Sequence, residues 1–98
     1  MNQKENTYEI QMDVAVWDTY VVRKDGRRMH FDIIVPESIK DTAIIYNFGK
    51  KYLISKGQEG QPLTSKECKF CHIEMLQPEW EAEILEKGYF IFEMENCE

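Results

Sequence analysis

The chain contains no apolar run near the roughly 20 residues that a helix needs to cross a bilayer, which excludes a membrane-spanning helix. Its start, Met1 to Gln11, is polar and lacks the apolar stretch of a secretory leader. Clustered positive charge is also missing. With 12 Lys and Arg against 18 Asp and Glu, the formal net charge is −6. Affinity for nucleic acid comes from counterion release by clustered basic residues, so no nucleic-acid partner is expected. The tightest basic groups, Arg23–Lys24 with Arg27–Arg28 and Lys50–Lys51, read as a solvated turn and a solvated helix face. Cysteine is scarce: three residues, an odd number without a leader, argue against a disulfide framework and for a reducing cytoplasm. There is no internal repeat, and Gly57-Gln58-Glu59-Gly60 lacks the Lys-Ser/Thr pair of a phosphate loop, leaving a helix-capping turn.

What remains is an ordinary globular composition, 43% hydrophobic and 31% charged, which excludes wholesale disorder. Ninety-eight residues suffice for one domain. Residues 1–11 read as a polar extension and 12–98 as that domain.

Val14, Ala15, Val16, Trp17, Thr19, Tyr20, Val21 and Val22 are mostly β-branched or aromatic and predict a strand. Asp25-Gly26 signals a hairpin turn, and Met29 to Val35 forms the return strand before Pro36. Counting back from a two-residue turn pairs Val22 with Met29 and Tyr20 with Phe31. That register places Val16, Tyr20, Val22, Met29, Phe31, Ile33 and Val35 on a core face, with Asp18 as its one polar member. Trp17, Thr19, Val21, His30, Asp32 and Ile34 fall on the other, mixed face, with Thr19 opposite Asp32.

Asp41 reads as the N-cap of a helix running to Lys56, with Gly57 as its left-handed stop. Ile45, Phe48, Gly49, Tyr52 and Leu53 form its apolar stripe. Gln58 to Ser65 is a loop, and Glu67 to Leu76 is a short strand or an irregular segment. Pro78 opens a second helix with Trp80, Ile84 and Leu85 inward and Gly88 as its end, before a last strand from Tyr89 to Met94. The expected fold is α+β, a mainly antiparallel sheet with an N-terminal β-hairpin and two helices, in the order β-β-α-(β)-α-β.

The segment with a chemical pattern is Cys68-Lys69-Phe70-Cys71-His72. A Cys-x-x-Cys loop aims two thiolates at one point about 2.3 Å from each sulfur, which suits zinc. One such knuckle gives only half a site, so His72 and the distant His30 or Cys97 are the candidate further ligands. The same string matches covalent haem attachment, which the lack of an export signal and the strand-rich setting argue against. A redox dithiol needs a helix N-terminus at the first cysteine, and the helix begins later, at Pro78. The plainest alternative is a pair of reduced cysteines packed with Phe70 as small hydrophobes. A second candidate polar site combines Asp18, His30, Asp32 and Thr19, in which a carboxylate tunes an imidazole to act as a base.

Taken together, Val16-Trp17-Asp18-Thr19-Tyr20-Val21, Met29-His30-Phe31-Asp32, Pro62-Leu63-Thr64-Ser65, Cys68-Lys69-Phe70-Cys71-His72 and Gly88-Tyr89-Phe90-Ile91 resemble the bacterial domain-of-unknown-function family 2024. The resemblance covers about residues 12–97. It implies a small α+β fold and a bacterial cytoplasmic origin, and no activity. Nearness of the hairpin's polar face to the cysteines would gather His30, Cys68, Cys71 and His72 into one site. The leading expectation is a small cytoplasmic binding or interaction module with zinc at the cysteine cluster. Its alternatives are an enzyme using a cysteine thiolate or His30, and a homo-oligomer pairing through a sheet edge or through exposed Trp80 and Tyr89.

Overall fold

A computed structural model describes residues 12–98; the expected extension, 1–11, lies outside the described residues. The elements are β1 (Asp13–Val22), β2 (Arg28–Pro36), α1 (Thr42–Ser55), β3 (Cys68–Met75), α2 (Pro78–Lys87) and β4 (Phe90–Glu95). The four strands form one sheet in the order β3-β1-β2-β4, with every neighbouring pair antiparallel. This is the expected α+β architecture, and the doubtful segment around the cysteines is a strand.

The hairpin register differs from the expected one by a single residue. Arg23 N–H donates to Arg27 O at 2.7 Å, and Gly26 N–H to Arg23 O at 2.9 Å. The turn therefore holds Lys24, Asp25 and Gly26, with Gly26 alone of them at positive φ (91°) in a bulge position. The Asp25 carboxylate accepts from Arg27 N–H at 3.0 Å and fixes this longer loop. Val21 then pairs with Met29, Thr19 with Phe31 and Asp18 with Asp32. Because side chains alternate, this slip turns all of β1 over. Trp17, Thr19 and Val21 join the Met29–Phe31–Ile33–Val35 face. Val16, Asp18, Tyr20 and Val22 join His30, Asp32 and Ile34.

Each face carries its own core. On the first, Phe31, Ile33, Met29 and Val21 pack with Ile45, Tyr52 and Leu53 of α1 and with Leu63 of the following loop. The helix is capped as expected, Asp41 accepting from Ala43 N–H at 3.0 Å, and Gly57 closes it at φ 72°. Gly49 lets α1 come close to the sheet: a Cβ there would lie 2.5 Å from Leu63 Cδ1 and 2.9 Å from Ile33 Cδ1. Gly49→Ala would gain about 1 kcal/mol of helix propensity but meet an overpacking cost of about 1–3 kcal/mol. A net loss near 1 kcal/mol is expected in urea denaturation; a stabilised variant would show that Leu63 and Ile33 yield freely.

On the opposite face, Val14, Val16 and Ile34 pack with Trp80 and Ile84 of α2. Leu85, expected inward, is exposed at the end of that stripe. Trp80 and Tyr89, expected as exposed aromatics, are only 8% and 7% accessible. The C-terminus returns to the hairpin, where buried Arg23 donates to Asn96 O at 2.7 Å and Glu98 O at 3.2 Å. Among the described residues no helix is long and apolar enough to cross a membrane. With only ten residues, α2 covers one end of its sheet face. The other end stays open, and there the polar residues gather.

Candidate functional site

The open face is built by cross-strand pairing. Asp18 on β1 stands directly opposite Asp32 on β2, and Tyr20 opposite His30. His30 reaches diagonally across the ladder to Asp18, with Nε2 2.6 Å from Oδ1. Its ring stacks on Tyr20 at 4.0 Å between centroids, 13° from parallel, and the Arg28 guanidinium sits 4.6 Å from the centre of that tyrosine. Stacking and the Asp18 contact together hold the imidazole in place. One ligand atom from each of Asp18, His30 and Asp32 lies within 4.8 Å of the others, the one such group of metal-ligating side chains among the described residues.

Two carboxylates facing each other on adjacent strands repel. Burial first, and then the neighbouring Asp18, raise the Asp32 carboxyl from 3.8 to about 6 against the opposing pull of His30 and His72. The ion pair that Asp18 makes is with His30. Lys69 stands beside Asp18 in the β1–β3 register, yet among the described residues no lysine or arginine forms an ion pair with either aspartate. Among the described residues the paired negative charge is met by the imidazole of His30 in contact with Asp18 and, from farther off, by that of His72.

Thr19, expected as the fourth member, is turned to the α1 face by the register. It is fully buried there, donating to Trp17 O at 3.2 Å. The cysteines are separated as well. In β3 Cys68 pairs with Thr19, Phe70 with Trp17 and His72 with Val16, so Cys71 is the extra residue of a bulge. Cys68 is buried in the α1-side core, where burial raises its thiol pKa. Cys71 is exposed, with Sγ 3.2 Å from His72 Nδ1. His72 lies on the same face as the aspartates, one row nearer α2, and its Nε2 is 2.8 Å from the Glu74 carboxylate. The strand thus places Cys68 with the hydrophobic core and His72 beside the Asp18–His30–Asp32 group. His30 faces Asp18, not the cysteines.

An open groove of about 420 Å³ adjoins the group, with Asp32 and Glu74 on one wall, Trp80 and Glu79 of α2 on another, and Phe92 and Met94 of β4 along its rim. A small ligand lying there would touch Asp32.

Several of these residues are legible from the sequence, but their company is not. His30 and Asp32 share a face by simple alternation. Asp18 joins them only once the turn has three residues, and a lone carboxylate on an otherwise apolar face was the signal that the two-residue count was off by one.

The fold is similar to the NMR structure of protein NE1680 from Nitrosomonas europaea, a structural genomics target, at a TM-score of 0.77 and 44% identity over 89% of this chain and 100% of that one. No curated protein matches the chain. The family model described as a domain of unknown function (DUF2024) matches residues 12–94. Carrying that match over nearly all of its described length, the chain belongs to the DUF2024 family.

Proposed function

We propose that the protein is a small metal-binding module in which Asp18, His30 and Asp32 hold a first-row divalent cation, zinc being the first candidate. One observation carries the reading: two facing carboxylates and an imidazole lie within 4.8 Å of one another with no lysine or arginine paired to them among the described residues. A cation would relieve the repulsion that the ladder imposes. Bonds of about 2.0–2.2 Å bring such ligand atoms to roughly 3.4 Å apart, within reach of small side-chain rotations. One imidazole with two carboxylates suits zinc, iron(II) or manganese better than a thiolate-seeking ion. Three protein ligands leave a coordination position for water or a small molecule from the adjoining groove. His72, one row away, is the nearest candidate for a fourth ligand. Free Cys68, Cys71 and Cys97 suit a reducing compartment such as the cytoplasm.

A second reading takes the 2.6 Å His30–Asp18 contact as a proton-transfer pair acting on a molecule in the groove. Zinc titration by calorimetry separates the two. One equivalent should bind to the wild-type chain, about 100-fold more weakly to Asp32→Asn and almost unchanged to Cys68→Ser and Cys71→Ser. Protein that binds neither zinc, manganese nor iron(II) would sink the metal reading, as would loss of binding on replacing Cys71 alone.

A further inference from the structure

Among the described residues both edges of the sheet are open, and they differ in chemistry. The β4 edge is short and carries Glu93 and Glu95 with no basic residue, so pairing it with a copy of itself would set carboxylates together. The β3 edge spans Cys68–Met75, contains no proline, and holds one lysine and one glutamate. Its large apolar side chains are exposed: Phe70 by 51%, Ile73 by 43% and Met75 by 65%. A long, apolar, unpaired edge is a template for another strand, and natural proteins guard such edges unless they are used.

The bulge makes this edge self-complementary. Lys69 and Glu74 are an odd number of residues apart and would fall on opposite faces of a regular strand. The extra residue, Cys71, returns them to one face, since Lys69 pairs with Asp18 and Glu74 with Val14. Phe70 and Ile73 share the other face in the same way, beside Trp17 and Ala15. A two-fold axis through the bulge, normal to the sheet, then sets Lys69 against Glu74 of a second copy and Phe70 against its Ile73. By symmetry each pair occurs twice.

An apolar groove of about 400 Å³ runs beside this edge on the α1 side, lined by Ala15, Trp17, Ile39, Phe70 and Ile73. The Trp17 indole N–H is buried there with no hydrogen-bond partner among the described residues. A second Phe70–Ile73 pair would close the open side of that groove.

We infer that the β3 edge is a homodimer interface, two copies joining antiparallel through β3 into one continuous eight-stranded sheet. Matched charge selects this partner: Lys69 meets Glu74 of the second copy twice in the two-fold register, while Glu74 also holds His72 of its own strand at 2.8 Å. Both α2 helices, and both Asp18–His30–Asp32 groups, then lie on one side of the shared sheet.

The test is light scattering and sedimentation of the full chain, from micromolar to millimolar concentration. The wild type is expected at twice its 11.7 kDa chain mass. Lys69→Glu or Glu74→Lys alone should weaken the dimer by about tenfold or more, because each reversal sets like charges opposite one another twice. The double reversal, Lys69→Glu with Glu74→Lys, should restore it. Circular dichroism on each variant separates loss of pairing from loss of fold. A chain that stays monomeric throughout, open-ended assemblies, or a double variant as weak as the singles would overturn the inference.

Discussion

Val21→Asp should unfold the protein, and Val22→Asp should leave its stability within about 0.5 kcal/mol of wild type. Val21 is wholly buried in the core beneath α1, among the side chains that surround Phe31 and Met29. A carboxylate there has no partner and must either lose its charge or drag water into the core. Such a change falls in the rare class above about 4 kcal/mol, against a total of about 5–15 kcal/mol for a domain. Val22, its neighbour, is 53% exposed at the end of the strand. A regular two-residue hairpin would reverse the two outcomes, because it would bury Val22 and expose Val21. Urea denaturation followed by tryptophan fluorescence decides between the registers. Equal losses at both positions would mean that neither face assignment holds.

That pair of substitutions also marks where the sequence stopped being legible. The helices could be read because their signals are local: Asp41 caps the first, Pro78 opens the second, and Gly57 and Gly88 take left-handed conformations at their ends. The apolar face of β2 could be read as well, since Met29, Phe31, Ile33 and Val35 alternate without interruption. The pairing of β1 could not, because it depends on one backbone hydrogen bond in the turn. Asp25-Gly26 satisfies a two-residue turn as written; only the Arg23–Arg27 closure and Asp25's bond to Arg27 N–H choose the longer loop. The cost of the slip fell on the site. Asp18 changed from an isolated buried carboxylate into the partner of His30, and Thr19 moved the other way into the core.

The cysteines were opaque for a different reason. Cys-x-x-Cys spacing implies convergence only when the chain between the sulfurs is a tight loop. Here it is an extended strand whose bulge at Cys71 leaves that residue exposed while Cys68 is buried beneath the sheet. Spacing alone carries no information about which backbone it will meet. His72 is the part of the cluster that reached the polar face, and the bulge put it there.

Zinc should reverse the pH dependence of stability that Asp32 imposes. In the metal-free protein the folded-state pKa of Asp32 is about 6, raised from 3.8 by burial and then by Asp18. The folded chain thus holds its proton more tightly than the unfolded chain does between those values. The associated stability is fully present below about pH 4 and is lost as pH rises through 6. Two units at a fully buried group would amount to nearly 3 kcal/mol, but Asp32 is only half-buried and solvent screening reduces this to about 1 kcal/mol. Asp32→Asn cannot ionise, so metal-free mutant and wild type should match near pH 4 and the mutant should be the more stable by about 1 kcal/mol near pH 7.5. Metal binding works in the opposite sense, since the proton on Asp32 must leave before the carboxylate can coordinate. Zinc affinity should therefore rise about tenfold per pH unit up to 6 on this group's account, and zinc at 100 times its dissociation constant should add about 2.7 kcal/mol to the wild type. The mutant should gain almost none of that. Measured at pH 4.5 and 7.5, the difference in urea stability between wild type and Asp32→Asn should then fall with rising pH without zinc and rise with it, the lowered carboxylates that both proteins share cancelling in the difference. If the metal-free wild type followed pH just as the mutant does, the facing carboxylates would not be strained, and the physical reason for a cation between them would be gone.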